Sequence, residues 1–81
     1  MGDFRITVAI TAADVPGLAT TIMDVANKEL KLSVRGINYN PKGDGTASAQ
    51  LTVEVPSSSI VDILLHSLRR IKGVRNAYRI N

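Results

Sequence analysis

Eighty-one residues, 44% of them hydrophobic, with ten Lys or Arg against seven Asp or Glu, one His and no Cys, make one small domain of net charge +3. A chain of this length holds a single core, and its apolar content supplies that core rather than marking disorder. The absence of cysteine removes disulfides, thiolate metal sites and cysteine nucleophiles together and fits a reducing cytoplasm. With no charged-then-apolar leader and no apolar run near the ~18 residues a membrane span needs, secretion and membrane spanning are not expected.

In chain order, Phe4, Ile6, Val8 and Ile10 alternate with Arg5, Thr7, Ala9 and Thr11, the period of a strand with one buried face. Asp14, Val15, Pro16, Gly17 and Leu18 follow where the alternation stops. Asp14 is the expected N-cap, its carboxylate accepting the backbone N–H of Gly17 because Pro16 has none. The first helix is expected over residues 15–29, with Leu18, Ile22, Val25, Ala26 and Leu30 inward. No glycine closes it. In the second strand Leu32 and Val34 share a face while Ile37 and Tyr39 take the other parity, and Gly36 between them predicts a β-bulge.

Residues 40–45, Asn-Pro-Lys-Gly-Asp-Gly, read as a hairpin turn. The third strand places Ala47, Ala49, Leu51, Val53 and Val55 on one face. After Pro56, Ser57 or Ser58 caps a second helix whose inner stripe is Ile60, Ile63, Leu64, Leu68 and Ile71, with Val61 and Leu65 beside it as a possible docking patch. Gly73 ends that helix, and a last strand carries Val74, Tyr78 and Ile80. The order β-α-β-β-α-β predicts an α+β fold, a ferredoxin-like sandwich with a four-stranded antiparallel sheet and two helices on one face. Arg5, Thr7, Ser48, Gln50 and Thr52 suit the other, watered face.

That architecture hosts many activities, so function is read from residues. A metal chaperone needs paired cysteines, and there are none. An acylphosphatase needs an arginine in the first strand-to-helix turn, which here is acidic. A base-stacking RNA module needs aromatics on its central strands, which offer Thr7, Ala9, Gln50 and Thr52. The lone His66 has no serine–carboxylate arrangement around it, and Asp3, Asp14, Asp24, Glu29, Asp44, Glu54 and Asp62 are too scattered for a metal cage. No catalytic residue, metal or cofactor is assigned. Residues 14–18 remain: a carboxylate, a fixed-φ residue and a residue without Cβ build a helix start with open N–H groups that a small ligand can approach.

The Asp-x-Pro-Gly-Leu passage after a first strand, in a frame that ends with an apolar helix, Lys72-Gly73-Val74 and a last strand, resembles an ACT domain over residues 4–80. Residues 63–79, Ile-Leu-Leu-His-Ser-Leu-Arg-Arg-Ile-Lys-Gly-Val-Arg-Asn-Ala-Tyr-Arg, are similar to the C-terminal ACT domain of RelA/SpoT-type (p)ppGpp synthetase/hydrolases, the GTP pyrophosphokinases. The resemblance implies that residues 1–81 are a regulatory domain excised from a longer enzyme. Such a domain is not itself catalytic; it senses a small molecule, often an amino acid, and modulates catalysis elsewhere in its chain, in the cytoplasm. It further implies a homodimer paired through the second strand, with Leu32, Val34, Arg35 and Ile37 at the seam. Asp14, Val15, Pro16, Gly17 and Leu18 would then contact ligand. Val15 and Lys31 depart from the arginine and asparagine frequent at those places in the family. The alternative is a domain without a small ligand, which meets ribosomal RNA through Arg69, Arg70, Lys72, Arg75 and Arg79 or docks on the catalytic domains of its own chain.

Overall fold

The structure, a computed structural model, describes residues 3–81, so Met1 and Gly2 lie outside it. Its elements are β1 (Phe4–Ala13), α1 (Leu18–Asp24), a π-helical extension of α1 (Val25–Glu29), β2 (Ser33–Pro41), β3 (Thr46–Val55), α2 (Ser58–Arg69) and β4 (Val74–Arg79). One antiparallel sheet has the order β2-β3-β1-β4, leaving β2 and β4 as edges. The expected sandwich forms. Ile6, Val8 and Ile10 of β1 and Ala49, Leu51, Val53 and Val55 of β3 pack with Leu18, Ile22, Leu64 and Leu68 from the helices in one core. The opposite sheet face carries the polar partners of the alternation. No helix among the described residues is long and apolar enough to cross a membrane.

Several local expectations need correction. The first helix begins at Leu18, not Val15, and its last five residues widen into a π-turn closed by Leu30 N–H donating to the Val25 carbonyl. Lys31 ends it in the left-handed region at φ 60, and the next N–H, from Leu32, returns to the Ala26 carbonyl at 2.9 Å. Helices commonly end on such a left-handed residue, usually glycine. On α2 the buried positions are Val61, Leu64 and Leu68, while Ile63, expected inside, is 47% exposed. Val61 is therefore core and no docking patch. Ser57 sits at the N-cap of α2 but bonds the Ser59 hydroxyl rather than the backbone.

The bulge near Gly36 is present, with Arg35 as the extra residue between Val34 and Gly36. A second bulge was not expected. Thr11 pairs with Asn76 and Ala12 with Val74, so Arg75 is left over and every later side chain of β4 changes face. Ala77 is buried, and Tyr78 and Ile80 are 46% and 47% exposed. At the other end of β1, Phe4 is 39% exposed, its ring 5.7 Å from the guanidinium of Arg79.

The two sheet edges differ. Antiparallel partners alternate between hydrogen-bonded and non-bonded pairs, and Ile80 N–H donates to the Thr7 carbonyl, so the odd-numbered Ala77 points its backbone groups away from β1. Both are taken: Ala77 N–H donates to Asn76 Oδ1 at 2.9 Å, and Arg69 Nε donates to the Ala77 carbonyl at 3.0 Å. On β2, Lys42 N–H donates to the Thr46 carbonyl, so by the same alternation Ile37 and Tyr39 face their backbone groups outward. No described group covers these. By the same alternation Arg79 on β4 also faces its backbone groups outward without a partner among the described residues, so β4 is covered at Ala77 alone, whereas β2 is open at both Ile37 and Tyr39.

Candidate functional site

Three loops meet at the end of β1. Ala13 N–H donates to the Gly73 carbonyl at 2.8 Å, tying β1 to the turn between α2 and β4, and Asp14 N–H donates to the Gly45 carbonyl at 2.9 Å, tying it to the hairpin. Gly73 has φ 97, a backbone shape that favours glycine, and a Cβ there would sit in tight contact 3.3 Å from Val15 Cγ2. In the hairpin, Asp44 Oδ1 accepts the N–H and hydroxyl of Thr46, and these bonds hold its carboxyl below the ordinary value.

Between the clamps, residues 15–18 form a turn. Leu18 N–H donates to the Val15 carbonyl, and Gly17 has φ 76 and ψ 6, the values a type II turn demands at its third residue, with Pro16 at the second. This turn, not an aspartate cap, starts α1. Thr21 then returns both its N–H and its hydroxyl to the Gly17 carbonyl. The N–H groups of Gly17, Ala19 and Thr20 have no acceptor among the described residues. Nothing lies within 4 Å of a Cβ built on Gly17, so the space above it is open. A side chain there would nevertheless strain the backbone, because φ is positive.

Asp14 is exposed, and instead of capping the helix its Oδ1 accepts the phenol of Tyr39 at 2.8 Å. The carboxylate has no cationic partner among the described residues, where the ion pairs are Arg5 with Glu54 and Lys28 with Asp24. Partial burial first, then the hydrogen bond and charge of Asp14, push the Tyr39 phenol above its ordinary value. Tyr39 can reach so far because the residues across from it are small: Ala49 is its direct partner on β3, and Ala47 lies opposite Pro41. Sequence reasoning missed Tyr39. Its only signal was a half-buried parity on an edge strand facing two alanines.

The other side of the turn borders a groove of about 380 Å³ lined by Val15, Pro16, Leu18, Thr21, Ile71 and Lys72. Residues 14–18 are thus brought together, facing β2 on one side and the end of α2 on the other. Of the expected seam, Leu32 precedes β2 and is buried in the protein's own core, Val34 and Ile37 pack half-buried against it, and Arg35 is exposed at the bulge. All five basic residues are exposed and none has an ion pair among the described residues; Arg69 Nε also bonds the Ala77 carbonyl and Arg79 Nε the Asn81 carbonyl. No group of three metal-ligating side chains occurs among the described residues.

Known structures show the same frame. The ACT domain from GTP pyrophosphokinase of Chlorobium tepidum superposes with a TM-score of 0.80 at 27% identity, over 96% of this chain and 99% of that one. The ligand-free regulatory subunit of aspartate kinase from Thermus thermophilus gives 0.71 at 18% identity, covering 99% of this chain and 55% of that one. An ACT domain protein from Streptococcus pneumoniae gives 0.67 at 13% identity, over 98% and 91%. The last two speak for the fold alone. No curated protein sequence matches. A sequence model described as the ACT domain matches residues 1–79, and the chain belongs to that family of regulatory, typically ligand-binding and non-catalytic domains.

Proposed function

We propose that this chain is the amino-acid-sensing domain of a (p)ppGpp synthetase/hydrolase, working as a pair of copies joined through β2 and modulating catalysis elsewhere in the parent chain. The observation that carries this reading is an exposed carboxylate, Asp14, without a cation among the described residues, beside unfilled space at Gly17 and next to the open edge of β2. An α-amino acid offers the complementary pair of charges. Its ammonium suits Asp14, and its carboxylate suits the free N–H groups of Gly17, Ala19 and Thr20. A second copy paired along Ile37 and Tyr39 would cover the unpaired backbone of β2 and close the site from the far side. The parent enzyme is inferred from the resemblance of residues 63–79 and from the likeness to the Chlorobium tepidum domain.

A thermal-shift screen with each of the twenty L-amino acids at millimolar concentration tests it. At 100 times the dissociation constant a ligand adds about 2.7 kcal/mol, so at least one amino acid should raise Tm clearly, and Asp14→Ala should cancel the rise. No rise with any of the twenty contradicts the reading. The competing reading, contact with RNA phosphates, is favoured by Arg69, Arg70, Lys72, Arg75 and Arg79, which stay exposed without an ion pair among the described residues. It predicts RNA binding that weakens steeply with salt, whereas an amino acid in a seam responds little.

A further inference from the structure

The Asp14 carboxylate is already engaged in the protein without ligand. Its partner Tyr39 lies 25 positions away in sequence, on the strand whose outer edge is open. The bond therefore joins the loop that would receive a ligand to the strand that would receive a second copy. A neutral phenol is a sufficient donor to a carboxylate but a weaker one than an ammonium, which brings a full charge. The phenol is also held protonated by partial burial and by Asp14 itself, so it remains a donor over the ordinary pH range.

We infer that Tyr39 is a built-in competitor for Asp14: its phenol occupies the carboxylate in the empty site, a ligand ammonium displaces it, and β2 registers the exchange. This rests on the corner being an amino-acid site. The competition has a thermodynamic signature, because a site that is mostly latched shows an affinity reduced by the fraction that is open. Freed from Asp14, the Tyr39 side chain is no longer tied across β3, while its backbone N–H and C=O stay at the pairing edge. Ligand occupancy and pairing are thereby linked through one side chain. A plain structural tie would lack this link, since it would lose stability on substitution without gaining affinity.

The test compares wild type with Tyr39→Phe, using Tyr78→Phe as a control on the opposite sheet face. Each protein is titrated by calorimetry with each of the twenty L-amino acids, and self-association is followed by sedimentation in the same samples. Tyr39→Phe should bind about fivefold tighter, the gain expected for a latch closed about four-fifths of the time. Tyr78→Phe should match wild type. Adding amino acid to wild type and substituting Tyr39→Phe should move the self-association constant in the same direction. Equal or weaker binding by Tyr39→Phe overturns the competition while leaving the amino-acid site standing. Unchanged or opposite self-association overturns the coupling. Binding by neither protein overturns both the site and the latch, whereas binding by Tyr39→Phe alone supports a latch closed tightly enough to mask the site.

Discussion

At Lys31 the chain adopts φ 60, the one non-glycine residue among those described with a positive φ. A left-handed backbone costs a residue with a Cβ about 1–2 kcal/mol, and glycine or asparagine much less. The position is also the one at which ACT domains often carry asparagine, a side chain that tolerates this conformation. Lysine here thus has a local conformational cost. Lys31→Gly should stabilise the domain by about 0.5–1 kcal/mol once the greater freedom of glycine in the unfolded chain is counted. Chemical denaturation measures it, with Lys31→Ala as the control that removes the side chain but keeps the Cβ. A Lys31→Gly protein no more stable than the alanine variant contradicts the assignment. The same physics shows why the helix end was illegible: the signal sought was a glycine, and the fold used a residue that ordinarily avoids the conformation.

At the scale of elements, strands β1 and β3 were legible because each alternates strictly, with one face in the core. Helix α2 was legible as a helix but not in its rotation. Ile60, Val61, Ile63, Leu64, Leu65 and Leu68 are apolar nearly all round, so a stripe through Ile63 and one through Val61 look alike until the sheet selects one. The bulge in β4 was not legible because the extra residue, Arg75, has no glycine within the strand to announce it. The edges carry a further consequence. Exposed strand edges invite pairing, and β4 is covered at Ala77 by Arg69 and Asn76, whereas β2 is left free at Ile37 and Tyr39. Both guarding side chains are exposed, so replacing them spares the core. Arg69→Ala with Asn76→Ala should uncover Ala77 on β4 and yield species larger than those of wild type as concentration rises, read by light scattering. An unchanged mass distribution contradicts the role of the two side chains.

For the whole molecule, the sandwich, the family and the position of the turn at residues 14–18 were all readable from strand period, helix period and a five-residue passage. The chemistry inside the corner was not. Asp14 was expected to cap a helix, yet it meets Tyr39 across the sheet, Ala13 meets Gly73, and Asp14 N–H meets Gly45. Each of these contacts joins segments far apart in sequence, and no local pattern encodes them. The basic tail shows the reverse: the five cations close in sequence all stay exposed, though Arg69 also bonds the Ala77 carbonyl and Arg79 the Asn81 carbonyl. Sensing of a small amino acid at this corner, felt along β2, is tested most directly by recording backbone amide resonances of the isotope-labelled domain while titrating the amino acid that raises Tm most. Shifts should concentrate at residues 13–20 and along residues 35–40. Shifts confined to Arg70, Lys72 and Arg75, or none at saturating amino acid, would contradict it.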